Sequence, residues 1–63
     1  MKYTGNIEGY KFVMSNPDTI EVWRDENDEF PDTYIYLKEG SIKDEKDFHK
    51  EISFWWMDNK VNY

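Results

Sequence analysis

The sequence has no cysteine, three glycines, two prolines and no long apolar run. The absence of cysteine excludes disulfides, thiolate metal sites and thiol nucleophiles, and it favours a reducing compartment. No stretch approaches the roughly 18 apolar residues of a membrane-spanning helix, and the first residues lack the apolar segment of a signal peptide. We therefore expect a soluble cytoplasmic protein that is complete from its Met, without a membrane partner.

Positive charge is also scarce, because 8 Lys and Arg residues stand against 14 Asp and Glu residues, which gives a net charge of −6. Nucleic-acid binding rests on neutralisation of phosphates by Lys and Arg, so we expect no direct binding of nucleic acid. The same charge attracts basic protein surfaces and speeds encounter with them.

Aromatic residues are abundant, at 19% of the 63 residues, although the mean hydropathy is only −1.01. Disordered segments are poor in aromatic side chains, whereas each large ring in a core buries roughly 150–250 Å². We therefore predict one folded domain over residues 1–63, with residues 59–63 as a tail that frays or folds back.

Three segments have the alternation and the β-branched and aromatic content typical of strands. Ser15 to Asp18, with Pro17 at the second turn position, predicts a type I turn between the first two. After them, apolar residues recur at spacings of three and four, which predicts a helix capped by Ser41 or Asp44. The predicted elements are strands Tyr10–Met14, Thr19–Arg24 and Thr33–Lys38 and a helix from about Asp44 to Met57.

The predicted fold is therefore α+β: a three-stranded antiparallel β-meander followed by one C-terminal helix packed on one sheet face. Alternate strand residues point to opposite sheet faces, so strand parity separates a core from a second face. The predicted core consists of Phe12, Met14, Ile20, Val22, Ile35, Leu37, Phe48, Ile52, Trp55 and Trp56. The second face carries Lys11, Val13, Glu21, Trp23, Tyr34 and Tyr36.

Trp23, Tyr34 and Tyr36 on the second face form a candidate interaction surface, because one helix cannot cover both faces of a sheet. Aromatic residues are enriched at interfaces. The alternatives are that these rings only stabilise the sheet through cross-strand pairs, or that they form a stacking platform for a sugar or a base.

Phe54 and Met57 belong to the same candidate surface set, because both fall away from the predicted core side of the helix. Large apolar side chains there face solvent or a partner. The two interpretations left open are coverage by the C-terminal tail, through Val61 and Tyr63, and an oligomer interface.

An acidic contact loop is predicted at Asp25, Glu26, Asp28 and Glu29. A calcium-binding loop of the EF-hand type needs Gly at its sixth position and Glu at its twelfth, where this chain has Phe30 and Tyr36. We therefore interpret the loop as a solvated charge run or an electrostatic contact surface, and we expect no bound metal.

Nothing in the sequence assembles a catalytic centre. His49, the one histidine, has Glu45 four residues before it, but one histidine without cysteine is a poor ligand set. The serines form no motif with His49, and the three glycines form neither a phosphate loop nor a dinucleotide motif. We expect no enzyme activity, no cofactor and no small-molecule substrate.

These expectations leave two functional hypotheses. The first is a small acidic protein-interaction module, an inhibitor, adaptor or regulatory subunit, whose acidic surface engages a basic site on a larger protein. A specific version is mimicry of nucleic-acid charge by a protein encoded by a phage or another mobile element. The second is a structural homo-oligomer that uses the uncovered aromatic sheet face, which would supply core that a small domain lacks.

Overall fold

The computed structural model describes residues 2–24, 27 and 29–61. Within that part of the chain, four antiparallel strands form one sheet in the order β1-β2-β3-β4, followed by a single helix. The α+β class and the C-terminal helix are confirmed, but the predicted number of three strands is wrong. The elements are β1 (Tyr3–Ile7), β2 (Tyr10–Asn16), β3 (Thr19–Trp23), β4 (Thr33–Tyr36) and α1 (Glu45–Val61).

The additional strand, β1, was not predicted because its centre is Thr4-Gly5-Asn6, and glycine and asparagine are depleted in strands. Gly5 lies directly under the helix. A Cβ atom added to Gly5 would lie 2.9 Å from Cδ1 of Ile52 and 3.2 Å from Cε1 of His49. The glycine that weakens the strand pattern is therefore the residue that lets α1 approach the sheet closely.

A two-residue turn at Glu8 and Gly9 joins β1 to β2, since Ile7 pairs with Tyr10. Both turn residues have positive φ angles, 46° and 90°, which is the requirement of a type I′ hairpin turn. Trp56 of the helix donates its indole N–H to Oε2 of Glu8 at 3.0 Å. The turn between β1 and β2 is therefore attached to α1.

The second hairpin has the predicted turn at Pro17 and Asp18, between the paired residues Asn16 and Thr19. The register shifts between Val13 and Asn16, so β2 carries a bulge and continues past Met14, its predicted end. Neither Pro17 nor Asp18 has a positive φ angle, so this turn is not of the type I′ or II′ class that matches the twist of paired strands, and the bulge lies beside it. The other two strands end slightly earlier than predicted, at Trp23 and Tyr36.

The core lies between the sheet and α1, and the predicted strand parity is confirmed. Leu37, Trp55 and Trp56 were predicted as core but are only partly buried, at its edge. Ile42, in the segment between β4 and α1, is a buried core residue that was not predicted. The predicted core residues that are buried are Phe12, Met14, Ile20, Val22, Ile35, Phe48 and Ile52.

Aromatic contacts set the position of the helix on the sheet. Trp55 meets Phe12 edge-on at a centroid distance of 5.8 Å, and Trp56 lies 5.1 Å from Tyr10. Phe48 packs on Tyr3, at 5.6 Å. These partners belong to β1 and β2, and the backbone of β1 also lies close to that of α1. The helix therefore lies over the β1 and β2 side of the sheet.

The helix begins with a side-chain cap. The N–H of Asp47 donates to Oδ1 of Asp44 at 2.9 Å, which confirms Asp44 as the N-cap residue. Ser41, the other candidate, donates its hydroxyl to the carbonyl of Lys38 at 2.6 Å and so stabilises the turn before the helix. At its other end α1 continues past Met57, its predicted end, to Val61.

Candidate interaction surfaces

The sheet face that points away from α1, here called the open face, carries no strand or helix within the described residues. Strand register places Val13 between Thr4 and Glu21, and Glu21 between Val13 and Tyr34. Val13 is nevertheless buried, because β2 is an inner strand with a neighbour on each side. The open face consists of Thr4, Asn6, Lys11, Val13, Thr19, Glu21, Trp23, Tyr34 and Tyr36.

Two of the three predicted aromatic residues of this face lie together. Tyr34 and Tyr36, alternate residues of β4, stack at a centroid distance of 6.0 Å with an interplanar angle of 28°. Their exposed fractions are 43% and 78%. The pair therefore presents aromatic surface to solvent at the last strand of the sheet.

Trp23, the third predicted residue, is held differently. Its indole N–H donates to Oε1 of Glu21 at 3.1 Å, and the residue is partly buried. In the strand register Lys11 lies opposite Trp23, on the side away from β4. The predicted patch of three rings is therefore a tyrosine pair and a separate tryptophan with its own polar partner.

Phe54 and Met57, the predicted helix candidates, lie on the outward side of α1. Their exposed fractions are 55% and 61%, and their spacing of three residues places them side by side on the helix. The alternative that the C-terminal tail covers them depends on Val61 and Tyr63. The Val61 side chain and Tyr63 lie outside the described residues. In the described part of the chain, Phe54 and Met57 form an exposed apolar pair.

The predicted acidic contact loop connects β3 to β4. Asp25, Glu26 and Asp28 lie outside the described residues, whereas Glu29 is described and exposed. In the sequence, residues 24–32 hold five of the 14 acidic residues and one of the eight cationic residues. This segment therefore carries a net charge of −4, and the remainder of the chain carries −2.

Phe30 is a candidate that the sequence analysis missed. It follows Glu29 in this loop, and 75% of its side chain is exposed, nearly as much as that of Tyr36. After Phe30, the N–H of Asp32 donates to the carbonyl of Val22 at 2.7 Å, which attaches the end of the loop to β3. The signal was available, because a phenylalanine in a charged, proline-broken segment between strands has no strand position that would bury it.

The residues considered for catalysis and metal binding serve local structure where they are described. Nε2 of His49 lies 3.4 Å from Oε1 of Glu45, and Ser53 donates its hydroxyl to the carbonyl of His49 at 2.8 Å. Among the described residues, no group of three or more His, Cys, Asp or Glu side chains could hold a metal ion. The predicted loop residues Asp25, Glu26 and Asp28 are not part of that set.

Comparison with protein-family models, with curated proteins and with solved structures finds no match for this chain. The geometry of its own surfaces must therefore carry the functional argument. The helix in the described residues, α1, is not long and apolar enough to cross a membrane.

Proposed function

We propose that this protein is a small acidic interaction module that acts by binding and not by catalysis, and that the loop between β3 and β4 engages a basic site on a larger protein. The observation that supports this proposal is the concentration of charge: residues 24–32 carry −4 of the net −6, and they include Phe30, which is 75% exposed. An inhibitor, adaptor or regulatory subunit would work in this way.

Charge and Phe30 would contribute to different steps of binding. The carboxylates attract a basic surface over roughly a Debye length, about 8 Å at physiological salt, and so raise the association rate. Phe30 inserts into an apolar depression of the partner and slows dissociation, as buried aromatic anchors do at binding hot spots. The loop's attachment to β3 through Asp32 limits the conformational freedom that binding must remove.

A more specific version of this proposal concerns proteins that bind nucleic acid. A basic site that receives phosphates also attracts a dense run of carboxylates, so the loop would compete with nucleic acid for that site. Such a competitor suits a protein encoded by a phage or another mobile element, acting on a host protein in the cytoplasm.

The test is affinity capture from cells of the source organism with two triple variants of equal charge change. Glu26→Gln with Asp28→Asn and Glu29→Gln removes three of the loop's negative charges, and Glu39→Gln with Glu51→Gln and Asp58→Asn removes the same charge elsewhere. We expect a partner protein that binds the wild type and the control variant, and that the loop variant and raised salt, about 0.3 M, release. Phe30→Ala should weaken capture, whereas Phe54→Ala should not.

Three outcomes contradict the proposal. One is equal capture of the same partner by the loop variant and the control variant. The second is capture that does not respond to salt, because electrostatic attraction between exposed groups must weaken as salt rises. The third is the absence of any partner bound by the wild-type protein.

The second candidate function is that of a structural homo-oligomer. The exposed tyrosine pair on β4, the last strand of the sheet, favours it. The geometry of that strand suggests how two copies would meet.

A further inference from the structure

The two edge strands of the sheet differ in how closely the helix packs on their inner face. The strand order leaves β1 and β4 at the edges, and α1 lies over β1. Within the described residues, β4 pairs with β3 on one side and with no strand on the other. An edge strand presents unpaired N–H and C=O groups that can pair with another chain.

Hydrogen bonding shows which backbone groups of β4 point outward. The N–H of Leu37 donates to the carbonyl of Asp18 on the β3 side, at 2.8 Å. In an antiparallel sheet, both backbone groups of one residue point to the same neighbour, and those of the next residue point to the opposite side. Ile35 therefore faces β3 with its backbone groups, and Tyr34 and Tyr36 direct theirs to the free edge.

The composition of β4 lacks most devices that protect an edge strand. Its residues Thr33-Tyr34-Ile35-Tyr36 include no charge, no proline and no glycine, and only the shortness of the strand limits pairing. The side chains beside the outward backbone groups are the exposed, stacked tyrosines. Edge and aromatic surface therefore coincide at the same two residues.

We propose that β4 pairs antiparallel with β4 of a second copy of this chain, about a two-fold axis at Ile35, so that the two sheets form one continuous sheet. In this register Tyr34 lies opposite Tyr36 of the second copy, and Tyr36 opposite its Tyr34. Each tyrosine pair exchanges two backbone hydrogen bonds, and the four rings line one face. This inference does not depend on the acidic loop.

The charges that flank β4 favour this antiparallel pairing. Asp32 precedes β4 and Lys38 follows it, so pairing about Ile35 brings the Asp32 end of each strand near the Lys38 end of the other. A shift of the register by two residues in either direction moves both of these charge pairs apart. Asp32 and Lys38 are both exposed, so no buried contact must be broken for them to meet.

The contact is short, because β4 has only four residues. Small interfaces are typical of weak, reversible association. We therefore expect monomer and dimer to exchange, with the dimer growing as the concentration rises from about 10 µM to about 1 mM. The dimer should form without rearrangement of the core, since Ile35 is already buried against the helix side.

Sedimentation equilibrium with paired variants tests the proposal. Tyr36→Pro removes the outward N–H and leaves the bonds to β3 in place, because proline is tolerated where an edge N–H faces solvent. Tyr36→Thr removes the ring but keeps the N–H. We expect Tyr36→Pro to abolish the dimer and Tyr36→Thr to weaken it by several-fold, with circular dichroism confirming that both variants fold.

A charge exchange tests the register and does not depend on the proline variant. Lys38→Asp alone brings two carboxylates near each other at each end of the paired strands and should weaken the dimer, whereas Asp32→Lys combined with Lys38→Asp should restore it. Amide exchange should slow at Tyr34 and Tyr36 as the protein concentration rises, and not at Thr33.

Each measurement also has a result that overturns edge pairing. Sedimentation as a monomer up to about 1 mM ends the proposal. Equal loss of dimer in Tyr36→Pro and Tyr36→Thr would indicate stacking of open faces through the rings. A double charge variant as weak as the single one would exclude the register centred on Ile35.

Discussion

Alternate residues of the same strands point either to the helix or to the open face, and the two sets are stabilised in different ways. On the helix side, Phe12, Ile20 and Val22 are fully enclosed between sheet and helix. On the open face, side chains are covered only by their cross-strand neighbours, so Val13 is buried but Tyr36 is exposed. On the helix side, a side chain is buried because α1 covers it. On the open face, a side chain is buried only if its strand has a neighbouring strand on each side.

This difference separates the residues that stabilise the fold from the exposed residues that can bind a partner. A stability of roughly 0.05–0.15 kcal/mol per residue amounts to roughly 3–9 kcal/mol for a domain of this size. Most large losses should therefore follow from changes on the helix side. Changes at Tyr36 or Phe30 should alter binding with little effect on folding, which leaves those positions free to serve a partner.

The largest effect is expected at Phe48, on the inner side of the helix. Phe48→Ala removes a fully buried ring and should lower the free energy of unfolding by about 3–5 kcal/mol, which is enough to unfold a marginal domain. Phe54→Ala, on the outward side of the same helix, should change it by about 0.5 kcal/mol or less. Urea denaturation followed by circular dichroism measures both; equal losses would show that the helix faces are assigned wrongly.

A smaller effect is expected where the helix approaches the sheet most closely. Gly5→Ala places a methyl group 2.9 Å from Cδ1 of Ile52, so the structure must shift, at a cost of about 1–3 kcal/mol. Ile52→Val removes that Cδ1 atom. The double variant should therefore be more stable than the sum of the two single effects, by about 0.5 kcal/mol or more in a double-mutant cycle. Strict additivity would show that the two positions are not in contact.

The smallest of these effects concerns the open face. Val13→Ala removes two buried carbon groups and should cost at most about 1.6 kcal/mol, at about 0.8 kcal/mol for each. Thr4→Ala, at its exposed cross-strand neighbour, should cost about 0.5 kcal/mol or less. Thermal unfolding of the two variants compares them, and a Val13 variant as stable as the Thr4 variant would mean that the centre of this face is not packed.

Sequence patterns predicted most of the fold because they report burial directly. Strand parity identified both sheet faces from Phe12 to Ile35, and the helical spacing of Phe48 and Ile52 identified the inner side of α1. The first strand was missed because Gly5 is determined by a contact with a helix far along the chain, which no local pattern contains. Ile42 was missed for a similar reason, since it is a single apolar residue between two periodic segments.

The candidate surfaces were predicted less completely. Alternation identified Tyr34 and Tyr36 as exposed neighbours, but it could not indicate that Trp23 bonds to Glu21 instead of joining them. The free edge of β4 depends on the order of the strands in the sheet, which the pattern of a single strand does not contain. Phe30 could have been found, because its acidic surroundings exclude it from the core.

The bond between Trp56 and Glu8 also bears on how the chain folds. The two residues are 48 positions apart, so the contact closes most of the polypeptide into one loop. Loop closure costs conformational entropy before the contact contributes any stability. During synthesis, Glu8 and the hairpin around it leave the ribosome well before Trp56. The first strand can therefore pair with β2 as soon as both are made, but it packs against α1 only after Trp56 has been synthesised.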